Sequence, residues 1–539
     1  MGLMRFLVPS RESLPGDALE CAYLAGLEGI PCRARRTWVS EPGVQPQEFI
    51  LERTESESGN LSISWHVPGH GQLVLTTGSL RERSEPYRLP VELARGAVYH
   101  LRQQLADWES QGFVASAKLK SQVRETEVLF RNCVIGCRCF AESSARADQV
   151  MEQSLRLGDT LVEEYAAHAL AVRHQQEPQL ATLFGVTLDG PPLEPAQAQR
   201  MLEVANSVML DCSWRKLEPQ AGRFDWESLD QSLQWCRQHK LRVLSGPLLS
   251  NSARHLPDWL TLWAEDCEAV LGYLLQYIRN LVSRYRGAVN VWNCAARLNV
   301  PGMLPISDEE TLRLLVSTIE EVRRLDPDTP TIVCFDQPWA EFLAQDPLAC
   351  SPLHLADSLI RAELGLAGIG LELNLGYWPH GTLPRDPLDI SNQIDRWSVL
   401  GMPLVLYLAV PSGSPQPVHR ASPPRARVET QSASIGNVDT GTLPPVTTDP
   451  MSVQSGVGSF GARTVLSGFE AGSSPEAQAA FLQKLVPLLL SKPMVQGIVW
   501  NQTFDAGFPE YPTAGLFDRL GQPKPAMAQL AAIRQAHLT

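Results

Sequence analysis

Three hydrophobic periods divide this chain. Up to about residue 90 the period is two: Leu61, Ile63 and Trp65 alternate with serines, and the runs Phe49-Ile50-Leu51 and Leu73-Val74-Leu75 are separated by Gly, Ser and Pro turn signals. This predicts a small β-rich, sandwich-like unit over 1–90. From Pro90 to about Gln176 the period becomes helical, with Leu101, Leu105 and Trp108 on one face and then Val150, Leu157, Leu161, Tyr165 and Leu170 on a longer run. A helical segment over 91–178 is expected to brace the sheet. Beyond Leu180 short apolar strands recur at Leu183–Leu188, Ser207–Leu210, Arg242–Ser245, Val289–Trp292, Thr331–Phe335, Gly368–Leu373, Pro403–Val410 and Gly497–Trp500, with amphipathic stretches between them. Eight near-continuous apolar strands, each followed by a helix, are what a parallel sheet buried on both faces requires. The prediction is an α/β chain whose residues 179–539 form a (β/α)8 TIM barrel.

One stretch breaks that rhythm. Residues 412–471 run through Ser, Pro, Thr, Gly and Val with hardly an aromatic, so they cannot bury enough apolar surface to order themselves. They are expected to be a disordered insertion after the seventh strand, on the face where barrel enzymes keep their sites. The insertion is either a cover for that site or a tolerated surface loop.

Composition narrows the partners. A net charge of -13 argues against nucleic acid, and no stretch has the ~18 uninterrupted apolar residues of a membrane span or the apolar run of a signal peptide, so the expected location is cytoplasmic. Eleven cysteines without a secretory signal suggest thiols rather than disulfides. The spacing of Cys133, Cys137 and Cys139 fits no zinc pattern, and these are expected to be core cysteines; no metal and no cofactor is predicted.

The motifs are more specific. Trp214 with Glu218-Pro219, Gly222, Phe224-Asp225-Trp226 and Asp230 resembles the KWxxxEPxxGxFxFxxxD of glycoside hydrolase family 10, the endo-xylanases. In the same order follow Pro257-Asp258-Trp259, Arg284-Tyr285-Arg286-Gly287 before Trp292, Gly368-Ile369-Gly370-Leu371, and Trp500, Asp505, Leu516-Phe517-Asp518 and Lys524-Pro525-Ala526. The resemblance implies that family's barrel over Leu183 to Ala526 and leaves the first ~180 residues unexplained.

The departures cluster at the chemistry. The family's acid/base glutamate falls on Arg297, and no Asp or Glu occurs between Ala288 and Ser307. Its nucleophile falls on Tyr407, or on Leu408 after a slip of one residue. Its lysine before Trp214 falls on Ser213, its strand-six glutamine on Glu372 and the histidine there on Asn374. A retaining glycosidase needs two carboxyl groups roughly 5–5.5 Å apart, and a guanidinium cannot protonate a leaving oxygen at neutral pH. Three readings stay open. The first is a degenerate barrel binding an oligosaccharide or polysaccharide through Trp214, Trp292, Asn293, Glu372, Asn374, Trp500, Gln502 and Asp505. The second is an active hydrolase with relocated carboxylates, Glu372 being the candidate and Arg297 the group that keeps it ionised. The third is an interaction protein using the barrel as a platform, of unknown oligomeric state.

Overall fold

The computed structural model describes residues 2–9, 14, 18–26, 28–39, 46–188, 193–300, 302–345, 350–413, 474–505 and 510–539. Nearly all of the predicted 412–471 insertion lies outside the described residues. Strands β1 (Gly2–Val8), β2 (Tyr23–Ala25), β3 (Pro31–Cys32), β4 (Arg35–Val39), β5 (Gln47–Arg53), β6 (Asn60–Val67), β7 (Gly71–Thr76) and β8 (Tyr87–Arg88) form two four-stranded sheets, ordered β4-β5-β1-β8 and β3-β2-β6-β7. Met4, Phe6, Phe49 and Leu51 of one sheet share a core with Leu24, Leu61, Ile63 and Trp65 of the other. The alternation is clean in β1 and β5, which bury every second residue, whereas β6 and β7 are covered on both faces, with Ser62, Ser64 and Val74 buried as well.

Three helices follow: α1 (Leu89–Ser110), α2 (Ala117–Gly136) and α3 (Phe140–Gln176). Leu93 and Ala94 of α1 and Val150 and Met151 of α3 close the sheet core, while Leu101, Leu105, Trp108, Leu157 and Leu161 pack on Leu388 and Leu488, which belong to the barrel's helices. Trp108 stacks on Tyr165 with centroids 3.7 Å apart, and the Lys492 ammonium lies over both rings. Only Cys133 of the cysteine trio is core; Cys137 is half-buried and Cys139 exposed, because α2 ends at Gly136 and the other two fall in the turn.

The barrel strands are β9 (Leu183–Leu188), β10 (Ser207–Asp211), β11 (Arg242–Gly246), β12 (Val291–Ala296), β13 (Thr331–Asp336), β14 (Gly368–Asn374), β15 (Leu404–Ala409) and β16 (Val495–Trp500). They are parallel and close through β16-β9. Between them run α4 (Pro195–Val204), α5 (Trp214–Leu217), α6 (Glu227–Gln238), α7 (Cys267–Tyr285), α8 (Asp308–Leu325), α9 (Pro352–Arg361), α10 (Pro387–Ser398) and α11 (Pro475–Ser491), with α12 (Pro525–His537) last. This is the predicted (β/α)8 barrel. Met209, Leu244, Ala296, Ile332, Cys334, Val405, Tyr407 and Val499 fill its interior, and the alternate residues face the helices. The fourth strand is the clearest revision: it starts at Val291 rather than Val289 and runs on through Cys294-Ala295-Ala296, small residues that look like loop in sequence but fit a strand covered on both sides. Among the described residues no helix is long and apolar enough to cross a membrane.

Candidate functional site

The carboxyl ends of the barrel strands surround a cavity of about 60 Å³, lined among others by Thr187, Asp211, Arg254, His255, Asn293, Arg297, Glu372, Tyr407 and Tyr511. At roughly 10–15 Å³ per water, that is room for a handful of waters. Arg297 dominates it. The β12 ladder is irregular between Asn293 and Ala295, which turns Ala296 into the barrel interior, and Arg297 then takes a left-handed backbone conformation, φ 61°. Such a conformation costs a side-chain-bearing residue on the order of 1–3 kcal/mol and persists only where the surroundings over-determine it.

Here the surroundings do. Arg297 Nη1 donates to the Tyr511 hydroxyl at 2.7 Å, and Nη2 donates to the His380 carbonyl at 3.0 Å. The guanidinium also lies 3.1 Å from Asp336 Oδ2 and 3.4 Å from Glu510 Oε2. It therefore bridges the end of β13 and the loops after β14 and β16. Burial would lower the Arg297 pKa, but Tyr511, Asp336, Glu372 and Glu510 hold it well above its usual value, so the charge is permanent. Asn299 fixes the loop after β12 to the same point: its Nδ2 donates to the Asp336 carbonyl and its Oδ1 accepts from the Asp336 amide, at 2.8 and 3.1 Å.

Two carboxyl groups stand side by side beneath Arg297, because Asp336 and Glu372 are register partners on β13 and β14. Asp336 is fully buried; desolvation pushes it up to about 7, against the pull of Arg297 and with the push of Glu372. Burial likewise raises Glu372, more than Arg297 and the 2.9 Å hydrogen bond from Asn374 Nδ2 lower it. Arg297 does pull the Glu372 pKa down, as expected, but the guanidinium makes its close pairs with Asp336 and Glu510, and desolvation outweighs its pull on Glu372. On the opposite wall Asp211 accepts from Lys216 at 3.3 Å and from Arg254 at 3.4 Å. Burial pushes Asp211 up, but the neighbouring cations outweigh it and keep it below the usual carboxylate range. His255 is held neutral by burial, with Nε2 2.7 Å from the Pro247 carbonyl. The wall approaches closely there: a Cβ on Gly246, whose φ is 140°, would stand 2.3 Å from the Asn293 carbonyl oxygen. Thr187 Oγ1 and Asn293 Oδ1 are buried without a protein partner.

The two positions offered for the missing nucleophile separate cleanly. Tyr407 points into the barrel, where its hydroxyl lies 3.9 Å from the Met209 sulfur and also interacts with the Cys334 thiol, and burial holds it well above its usual pKa; Leu408 points out to the helices. A one-residue slip reverses the face, so only Tyr407 can reach the mouth.

Of the expected ligand-binding residues, Asn293 and Glu372 line the cavity and Asn374 stands behind it, bonded to Glu372, Tyr511 and Asn501. The three tryptophans do not line it. Trp214, Trp292 and Trp500 are 1%, 0% and 3% exposed in the core between strands and helices. Their indole N–H groups are spent on Glu218, Asp326 and the Ala514 carbonyl, at 2.7, 2.9 and 2.8 Å. Gln502 donates to the Phe504 carbonyl, and Asp505 binds Lys524 and the Gly515 amide, so both brace the closing loop instead of facing the cavity. Arg254, His255, Asn501, Glu510 and Tyr511 were not singled out from the sequence. They come together only through barrel closure, and no local motif marks them. Among the described residues no group of three or more His, Cys, Asp and Glu could hold a metal ion.

Residues 179–296 match the sequence profile described as Glycosyl hydrolase family 10. Endo-1,4-beta-xylanase B of Humicola insolens is 27% identical over 132 residues, which is 24% of this chain and 31% of that protein, so the match spans about a third of the relative's length. Among solved structures, native xylanase 10B from Thermotoga maritima aligns at 15% identity and a TM-score of 0.44, covering 66% of this chain and 95% of that one. Xylanase B from Clostridium stercorarium F9 aligns at 17% and 0.43, covering 67% and 98%. With the profile match lying on β9 to β12 of a closed eight-stranded parallel barrel, this chain carries a glycosyl hydrolase family 10-like barrel.

Proposed function

We propose that this glycoside hydrolase-like protein does not carry out retaining hydrolysis and that its barrel works as a closed scaffold, with ligand entry dependent on opening the mouth. One observation carries the reading: Arg297 stands at the end of the fourth strand with its charge locked on, and it ties the end of β13 to the loops after β14 and β16 across the place a sugar would occupy. A fixed cation there can neither donate a proton to a leaving oxygen nor take one from water. The end of the seventh strand offers Tyr407, a phenol kept neutral by burial with no carboxylate hydrogen-bonded to it. Among the described residues no tryptophan lines the cavity wall, because Trp214, Trp292 and Trp500 are used in the core.

A second reading rests on Asp336 and Glu372 being register neighbours, one of them titrating at about 7, which is the environment of a general acid. Against it, Asp336 is fully buried behind Arg297 and has no route to a substrate in the closed mouth. One assay separates the two. Purified protein is offered aryl β-glycosides and xylo-oligosaccharides, with Glu372→Gln as the control, and binding of the same sugars is followed by calorimetry. The scaffold reading expects no turnover from either protein; turnover that Glu372→Gln abolishes would overturn it and establish relocated carboxylates.

A further inference from the structure

The loop 375–386, between β14 and α10, has two sides, and each is held by a different part of the chain. Its inner side lines none of the cavity itself but bonds to Arg297 and Tyr511, which do. The His380 carbonyl accepts from Arg297 Nη2 and from the Tyr511 hydroxyl at 3.1 Å, while the Pro379 carbonyl accepts from Gln337 Nε2 at 3.0 Å. The loop folds back on its own strand through Thr382, whose amide donates to the Asn374 carbonyl at 3.0 Å and whose carbonyl accepts from the Gly376 amide at 2.9 Å. That return is tight: a Cβ on Gly381 would stand 2.3 Å from the Asn374 oxygen. Displacing the outer side of so closely bonded a loop therefore displaces its inner side.

The outer side is gripped by Tyr23 and Val74 of the N-terminal sheets together with Glu341 of the barrel loop after β13. Arg385 is 2% exposed and its Nη2 donates to both Glu341 Oε1 and the Tyr23 hydroxyl at 2.8 Å. Glu341, 1% exposed, also accepts from Thr382 Oγ1 at 2.6 Å and from the Leu383 amide at 3.2 Å. The Val74 amide of β7 donates to the Pro384 carbonyl at 2.9 Å. Around this polar knot Cys21, Tyr23, Ala25 and Val74 pack on Ala344, Leu383 and Trp378, and nearby Ile30 packs against Ala340, Phe342, Leu343 and Val300. The loops after β12, β13 and β14 all emerge on the face that holds the Arg297 bridge, so one patch of the N-terminal unit touches three loops of the mouth.

We infer that the N-terminal unit is an intramolecular latch for the barrel mouth: the Tyr23–Arg385–Glu341 contact holds loop 375–386 in the position at which His380 closes over Arg297. The inference rests on the closed-mouth reading above and adds what controls it. A buried cation left short of one partner is costly, so loss of the Tyr23 hydroxyl weakens the grip without removing any mouth residue. Whatever draws the N-terminal sheets away frees the loop, and only then does the cavity become large enough for more than waters.

Cys334 supplies a reporter, because its thiol is buried in the cavity wall, while Cys294 is buried on the helix-facing side of the neighbouring strand. The full chain and its Tyr23→Phe, Glu341→Gln and Arg297→Met variants are treated with iodoacetamide at pH 8, and the alkylation rate of each cysteine is read by peptide mass spectrometry. The latch predicts that Tyr23→Phe raises the Cys334 rate at least ~10-fold, as expected for losing one hydrogen bond to a charged group, with Cys294 unchanged. Glu341→Gln should act in the same direction and further. If Cys334 rises only in step with Cys294, in both latch variants, the contact is general stability and the latch is overturned. If Arg297→Met exposes Cys334 but neither latch variant does, the mouth is closed by Arg297 alone and the latch is again overturned. If Cys334 already reacts freely in the unaltered chain and Arg297→Met changes nothing, the closed-mouth reading fails with it.

Discussion

Replacing Arg297 with Met tests the physics of the mouth, because it removes the charge and the donors while keeping a side chain of similar length. The bridge loses three hydrogen bonds, to Tyr511, the His380 carbonyl and Glu510, each worth about 1.5–3 kcal/mol with a charged donor. The electrostatic part depends on pH. Asp336 has a folded pKa of about 7 against ~3.9 in an unfolded chain, so the folded state binds the extra proton. The unaltered protein therefore loses stability on this account as pH rises from about 4 to about 7, and no further above that. Without Arg297 the Asp336 pKa climbs, so the variant goes on losing stability above pH 7 where the parent has stopped. The gap between them should be nearly constant below pH 6 and then widen by about 1.4 kcal/mol per pH unit, reaching roughly 2–3 kcal/mol more at pH 9. Because the carboxyl can protonate, the loss never reaches the full cost of an unpaired buried charge. Urea unfolding of both proteins at pH 5.5, 7, 8 and 9 measures this. In the Asp336→Asn background the widening should shrink, the remainder coming from Glu372, whose pKa Arg297 also lowers. A gap that is flat from pH 5.5 to 9, or one that widens equally in the Asp336→Asn background, would refute the assignment of the Arg297 charge to Asp336.

Other outcomes follow from the same geometry. Asp386 caps α10 through the Leu388 and Asp389 amides, and burial together with the Asp389 charge pushes it up to about 7. Asp386→Asn keeps the cap and should match the parent near pH 4 but exceed it at pH 8, by at most about 4 kcal/mol in urea unfolding. Trp292→Phe strands the buried Asp326 oxygen that its indole serves and should cost about 1–3 kcal/mol in the same assay, while leaving any sugar binding measured by calorimetry unchanged. Tyr407→Phe removes only weak contacts to the Met209 and Cys334 sulfurs, so its stability should stay within about 1 kcal/mol of the parent; a larger loss would mean that the hydroxyl has a stronger partner in the mouth.

The barrel was legible in the chain because strands covered on both faces are continuous apolar runs, and eight of them spaced by amphipathic helices fit few architectures. The same continuity hid the orientation of each residue. In β12, Trp292 and Asn293 differ by one position and face opposite sides, but with apolar or small residues around both there is no alternation to read. The three tryptophans were therefore assigned to a pocket when each was filling the layer between strand and helix. Arg297 and Tyr407 could be placed at strand ends from motif spacing, since a strand's length is local information. Their meaning could not, because it depends on groups supplied from elsewhere: Glu510 and Tyr511 lie more than 200 residues along the chain from Arg297, and His380 lies 83 away. The upward push on Glu372 comes from desolvation, which exists only once the barrel has closed around it. The sequence alone determined the strand–helix repeat, the absence of carboxylates at two strand ends and the acidic surface. Tertiary structure alone decided which side chains face the mouth, which charge pairs with which, and that Tyr23 and Val74 of the N-terminal sheets bond to loop 375–386, since burial and pairing depend on the whole fold and not on neighbours in the chain.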